Sequence, residues 1–283
     1  MLRLWHLTSL DAPTVAVVWS CGFAWAAGIR LPVWAPVLLA LVAWSVYIGD
    51  RLLDAQAGLR TPPLHHLRER HYFHWRHRLM LVSAALCAAG ASAWMIFTLL
   101  PAGARVPDSA IGAATLAYFS GVHAQRRLPR VATRFLRPLF SKEFLVGVLF
   151  TMGCLLPVWS QSVLRAGHAA WRVLLLPGLF FMGLAWLNCH AIESWESADY
   201  EAGSERVART ACGVGLAGVV LAGILVFRMP HAAALIATGA MSAWLLAGLD
   251  LNRQRITPLA LRASADLVLL APLLLIPIGL VWQ

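Results

Sequence analysis

The sequence predicts an all-α integral membrane protein, and three observations support that prediction. The 283 residues are 60% hydrophobic and 13% charged, whereas a soluble domain is about 25% charged. The mean hydropathy is +0.70. The apolar residues gather in stretches close to the length of about 20 residues that a membrane-spanning helix needs. This composition excludes a disordered chain, a coiled coil, a disulfide-rich secreted module and a water-soluble enzyme.

The apolar stretches predict a bundle of nine transmembrane helices that forms a single domain over residues 1–283. They run over residues 10–29, 32–50, 79–100, 109–124, 139–157, 172–190, 210–227, 231–249 and 264–282. Several contain Pro or Gly, which spanning helices tolerate because neighbouring groups satisfy the freed backbone atoms. The first stretch lacks the basic segment and cleavage site of a signal peptide, so we expect it to remain as the first span.

The basic residues predict which ends of the spans face the cytoplasm. Of the 23 Lys and Arg residues, 18 lie in the N-terminal segment and in the loops 51–78, 125–142, 191–209 and 250–263. Because cytoplasmic loops are enriched in Lys and Arg, we expect the N-terminus inside and the C-terminus outside, in a bacterial cytoplasmic membrane. The net charge of +10 is then a topology signal with a second use in contacting membrane lipids, and it requires no nucleic acid.

The first candidate site is an acidic pair where the second span meets the cytoplasm. Asp50 and Asp54 are four residues apart, so on a helix their side chains share one face. Two carboxylates in this position repel each other unless a cation bridges them. Mg²⁺ prefers carboxylate oxygens together with those of a bound phosphate. The pair therefore predicts a Mg²⁺ site, and the alternative is an ordinary solvated helix end.

A second acidic group lies at the corresponding end of the sixth span. Glu196 and Asp199 are three residues apart, and Asn188 lies two turns before Glu196. Glu193 stands at the edge of the same helical face. Two acidic helix ends at one membrane level, with basic loops around them, suit a diphosphate held by Mg²⁺ and by Arg or Lys. We expect the apolar part of a lipid substrate to enter the bundle below this charged mouth.

The first acidic motif resembles that of the UbiA superfamily of intramembrane prenyltransferases. Members of this family have nine transmembrane helices, with aspartate-rich motifs after the second and the sixth. The first motif usually reads N-D-x-x-D-x-x-x-D, and residues 46–54 resemble it, with Asp50 and Asp54 at the last two aspartates. Val46 and Tyr47 stand where the family usually has Asn and Asp. The stretch is followed by Gly58, Arg60 and Pro62.

Three other segments extend the resemblance along the chain. Residues 199–203, followed by Arg209, Thr210 and Gly213, resemble the second motif, D-x-x-x-G with a basic-Thr step into helix seven. Trp195 stands where the family usually has a further Asp. Residues 123–127 resemble the polar, basic end of helix four. Lys142, Gly147 and Gly153 resemble the basic residue and spaced glycines that open helix five.

The resemblance implies an enzyme that moves a prenyl group from a prenyl diphosphate to a lipophilic, often aromatic, acceptor. The Mg²⁺ ligands and catalytic residues that it implies are Asp50, Asp54, Glu196 and Asp199. The residues assigned to the diphosphate and its cofactor are Arg51, Arg60, Arg126, Arg127, Arg137, Lys142, Asn188 and Glu193. Some members of this family cyclise the prenyl chain instead, so a terpene cyclase is one alternative. A non-catalytic scaffold or lipid-binding protein with the same fold is another.

A histidine-rich loop supports a different hypothesis. His71, His74 and His77 recur at every third residue and can lie along one helical strip, and His190 lies on the second acidic helix. Imidazoles are common ligands of transition metals, as in a membrane lipid oxygenase. The spacings of the membrane desaturases, HxxxH and HxxHH, are absent. The interpretation that we favour is an interfacial amphipathic helix whose Arg and His side chains contact phosphates.

Overall fold

The computed structural model describes residues 1–60, 69–100, 105, 142–165, 170–197 and 200–276, and the regular structure in these residues is helical. The α-helices are α1 (Leu2–Leu7), α2 (Asp11–Ala26), α3 (Trp34–Arg60), α4 (Glu69–Arg76), α5 (Arg78–Leu99), α6 (Lys142–Arg165), α7 (Ala170–Glu196), α8 (Tyr200–Leu225), α9 (Pro230–Leu251) and α10 (Pro258–Val268). Two short 3₁₀-helices cover Arg253–Arg255 and Ala271–Leu275.

Six helices in the described part of the chain are long and apolar enough to cross a membrane. They are Trp34–Gln56, Arg78–Leu99, Glu143–Ser162, Trp171–Glu196, Arg206–Leu225 and Pro230–Leu251. The prediction of an all-α integral membrane protein is confirmed by these helices. The count of nine spans and the orientation stay predictions, and the fourth apolar stretch, 109–124, lies outside the described residues.

The last apolar stretch differs from the unbroken span predicted over 264–282. The helix α10 begins earlier, at Pro258, where the Thr257 hydroxyl accepts a hydrogen bond from the backbone N–H of Ala260 and caps the first turn. It ends at Val268, and a 3₁₀-helix with Pro272 near its start follows. Proline lacks an N–H group and has a fixed φ angle, so it does not continue regular α-helical hydrogen bonding.

The helix α2 lies within the bundle and is packed by aromatic side chains. Its Trp19 and Phe23 are fully buried. The ring of Trp19 stacks on Phe181 of α7 with centroids 4.0 Å apart, an arrangement that contributes about 0.5–1.5 kcal/mol beyond simple burial. The indole N–H of Trp19 also donates to the carbonyl of Leu269, just after α10, at 2.8 Å. These contacts hold α2, α7 and the end of α10 together.

Two glycines of α6 offer a test of how closely α6 packs on α7. A Cβ atom at Gly147 would lie 3.1 Å from the backbone nitrogen of Trp186 and 3.3 Å from the carbonyl oxygen of Met182. At Gly153 a Cβ would meet nothing within 4 Å. We expect Gly147→Ala to lower the free energy of unfolding by about 1–3 kcal/mol, because the backbone of α7 must move. Gly153→Ala should be neutral or stabilising by up to about 1 kcal/mol.

Thermal unfolding of the two variants in the same detergent measures this difference. Each substitution adds one methyl group to the same helix, so Gly153→Ala controls for helix propensity and for expression. Equal melting temperatures for the two variants would contradict the close approach of α6 to α7.

Candidate functional site

Arg70 of α4 reaches the end of α7 at one end of the bundle, which we call the polar end. Its two terminal nitrogens lie 3.2 and 3.4 Å from the carboxylate oxygens of Glu196, the last residue of α7. The next residue, His71, lies near Asp54 of α3, whose negative charge acts to raise the pKa of the imidazole. The helix α4 therefore connects the acidic end of α3 with the acidic end of α7.

Glu196 is held by two guanidinium groups. Besides Arg70, Arg262 of α10 donates to the same carboxylate at 2.7 Å. All three side chains are mostly buried, and hydrogen bonds between ionised groups are about twice as strong as neutral ones. Glu196, predicted to bind Mg²⁺, thus has two arginine partners. Sequence reasoning did not identify Arg70 or Arg262 as partners of this carboxylate.

The other predicted ligands of the first acidic motif lie on α3. Asp50 and Asp54 are both partly buried, and four residues apart they share one helical face. Between them Arg51 is buried, with its guanidinium 5.5 Å from the centre of the Tyr47 ring. Arg51 therefore faces the interior of the bundle, where it contributes positive charge near Asp11 of α2.

The remaining predicted residues have different locations. Asn188 is buried about two turns before Glu196, which is about 12 Å along α7 at the ordinary rise of a helix. Glu193 is exposed. Arg60 ends α3 and Lys142 begins α6. The residues Arg126, Arg127, Arg137 and Asp199 lie outside the described part of the chain.

The histidines of the alternative metal site make packing and hydrogen-bonding contacts. His74 is buried, with its Nδ1 2.8 Å from the carbonyl oxygen of Arg70 and its Nε2 3.2 Å from the Ser9 hydroxyl. His77 Nδ1 donates to the carbonyl of Phe73. The ring of His190 stacks on a neighbouring tryptophan of α7. Burial, followed by the charge of Arg70, lowers the pKa of His71 to about 4, so this ring is neutral at pH 7.

Within the described ranges, one group of metal-ligating side chains comes together, and it includes none of these histidines. It consists of His6, Asp11 and Asp266, whose ligand atoms all lie within 4.8 Å of one another. Ser9, with a φ of 56°, turns the chain sharply between α1 and α2, and His6 Nδ1 lies 2.6 Å from Asp11 Oδ2 across this turn. Asp266 comes from α10. The cluster therefore brings the first two helices together with α10.

A small cavity lies beside this cluster. It has a volume of about 30 Å³, enough for an ordered water molecule. Its polar lining comes from Tyr47, Asn188, Cys189 and Asp266. Asn188 donates from Nδ2 to Asp266 Oδ1 at 3.0 Å. Sequence reasoning missed Asp11 and Asp266, although both lie inside predicted spans, where a carboxylate is costly and therefore indicates function.

A larger cavity, of about 280 Å³, opens at the polar end. Its wall combines Glu196, Arg253 and Arg262 with the apolar residues Ile192, Trp195, Ile256, Pro258 and Leu261. Guanidinium groups bind phosphate oxygens well, and the apolar wall suits a hydrocarbon chain. Such a cavity can hold an amphipathic anion.

No protein-family model, curated protein or solved structure gives a significant match to this chain.

Proposed function

We propose that the protein is a Mg²⁺-dependent intramembrane prenyltransferase, which moves a prenyl group from a prenyl diphosphate to a lipophilic aromatic acceptor. The observation that carries this proposal is that α4 contacts both α3, near its acidic end, and the acidic end of α7. Arg70 binds Glu196 of α7, while its neighbour His71 lies near Asp54 of α3. Within one membrane protein, this arrangement supports a diphosphate site better than two separate solvated helix ends.

The donor atoms on α3 fit the metal that the proposal requires. Asp50 and Asp54 supply carboxylate oxygens, the ligands that Mg²⁺ prefers when it also binds a phosphate. Bound Mg²⁺ would offset the charge that develops on the leaving diphosphate. Glu196 has a positioning role in this scheme, because it holds the guanidinium groups of Arg70 and Arg262 in place.

The cavity of about 280 Å³ supports the second requirement, a compartment for the substrate. Arg253 and Arg262 in its wall would bind the phosphate oxygens. The apolar residues beside them, such as Ile192 and Leu261, would cover the first part of the prenyl chain and keep water away from the reacting carbon. The acceptor would approach from the apolar interior, where a lipophilic molecule is soluble.

Purified protein in liposomes tests the function directly. We expect radiolabelled prenyl diphosphates, supplied with a panel of lipophilic aromatic acceptors, to give a labelled lipid product and free diphosphate in the presence of Mg²⁺. Excess EDTA should stop the reaction, and added Mg²⁺ should restore it. A labelled hydrocarbon formed without acceptor would identify a terpene cyclase. If the protein neither turns over nor binds a prenyl diphosphate of any chain length, that result would contradict the proposal and favour a scaffold.

A further inference from the structure

The cluster of His6, Asp11 and Asp266 combines two buried side chains with one that is partly buried. It places one imidazole nitrogen and two carboxylate groups within 4.8 Å of one another. The side chains of His6 and Asp11 are each 2% exposed. His6 Nδ1 lies 2.6 Å from Asp11 Oδ2, and a neutral imidazole is the form that binds metals.

Two carboxylates this close in the interior repel each other strongly. Arg51 lies near both carboxylates, and Arg262, although bound to Glu196, lies near Asp266, so the two arginines offset part of this charge. Among the described residues, neither Asp11 nor Asp266 has an arginine within ion-pair distance. A bound cation would remove the remaining repulsion directly.

Asn188 supplies an independent sign that a ligand belongs here. Its residue is 5% exposed, and its Nδ2 is fixed on Asp266. Its Oδ1 is buried without a hydrogen-bond partner in the described part of the chain, which ordinarily costs about 1–3 kcal/mol. Asn188 and Asp266 line the same small cavity. A cation there, binding directly or through a water molecule in this cavity, would satisfy the amide oxygen.

We propose that His6, Asp11 and Asp266, with Asn188 Oδ1 as an additional ligand, form a buried site for a divalent first-row transition metal. One nitrogen with several oxygens favours ions of the Zn²⁺ and Mn²⁺ class, whereas Mg²⁺ prefers oxygen ligands alone. Metal binding at Nδ1 takes the neutral tautomer of His6 that carries its single proton on Nε2, in place of the tautomer that donates this proton from Nδ1 to Asp11. The site links α1, α2, α7 and α10, and it does not depend on the proposed prenyl transfer.

Metal binding to tag-free protein in detergent tests the site. The protein is stripped with chelator, loaded with Zn²⁺ or Mn²⁺ in excess Mg²⁺, passed through a desalting column and analysed by mass spectrometry of the elements. We expect a stoichiometric amount of transition metal to remain on the wild type. Asp11→Asn and Asp266→Asn should each weaken binding by at least about tenfold, as loss of even supporting groups does at metal sites. A wild type that retains no stoichiometric metal would overturn the proposal.

Two further measurements assign the metal to this cluster. The double variant Asp50→Asn/Asp54→Asn should retain the metal, since those carboxylates belong to the proposed Mg²⁺ site, and loss of the metal in that variant would overturn the assignment. Pulsed electron paramagnetic resonance of the Mn²⁺-loaded wild type should show coupling to an imidazole nitrogen that disappears in His6→Gln. Absence of that coupling in the wild type would overturn the site even if the aspartate variants fail to fold.

Discussion

Replacing Asp50 and Asp54 together by asparagine should lower the rate of Mg²⁺-dependent prenyl transfer by at least about 100-fold, the loss typical when a group that stabilises transition-state charge is removed. Asparagine keeps the shape of the side chain but removes its negative charge. The two residues share one face of α3, so both substitutions remove charge from the same proposed Mg²⁺ site. Initial rates at increasing Mg²⁺ concentrations measure the effect.

Glu69→Gln is the matched control for this prediction. Glu69 begins α4 and directly precedes Arg70 of the polar end, but it forms an ion pair with Arg3 at the surface. The substitution removes one carboxylate charge by the same chemistry, carboxylate to amide, and should leave the rate near that of the wild type. Wild-type turnover by the Asp50/Asp54 double variant would contradict the role of the acidic pair. An equal loss in Glu69→Gln would attribute the effect to net charge.

Replacing Glu196 by alanine should lower the free energy of unfolding by about 3–5 kcal/mol, the usual cost of breaking a buried ion pair from one side. The substitution leaves Arg70 and Arg262 without the carboxylate that holds both of them. Their side chains are only 11% and 16% exposed, so water replaces the lost partner poorly. Thermal and denaturant-induced unfolding in detergent measure the loss.

Glu193→Ala is the control, because Glu193 lies one turn earlier on the same helix and is exposed. We expect that variant to stay within about 0.5 kcal/mol of the wild type, as most surface substitutions do. Adding Arg70→Gln to a Glu196→Gln background should cost less than Arg70→Gln alone, since residues in one network are not additive. Equal stabilities of Glu193→Ala and Glu196→Ala would contradict the buried network.

Hydropathy located the helices well but placed some of their ends poorly. The stretch predicted at 32–50 corresponds to α3, which continues to Arg60. Hydropathy detects only the apolar part of a helix, whereas backbone hydrogen bonds extend it beyond that part. At the other end of the chain, Pro272 interrupts the stretch predicted over 264–282, because a missing N–H has more effect on the backbone than the apolar character of its neighbours.

The candidate site was predictable only where its residues are neighbours in the sequence. The spacing of Asp50 and Asp54 places them on one helical face without further information. The partners of Glu196 are different, since Arg70 is 126 residues away and Arg262 is 66 residues away. The histidine strip at His71, His74 and His77 shows the converse, because regular spacing on a short helix did not bring their ring nitrogens to one point.

The sequence by itself determined that this protein is an α-helical membrane protein, because the free energy of placing a helix in lipid is roughly a sum over its own side chains. Only the tertiary structure decided which of its few charges meet. The approach of Asp266 to His6 and Asp11 depends on how α1, α2, α7 and α10 pack. That packing follows from contacts such as Trp19 on Phe181, which join side chains far apart in the chain and leave no local pattern.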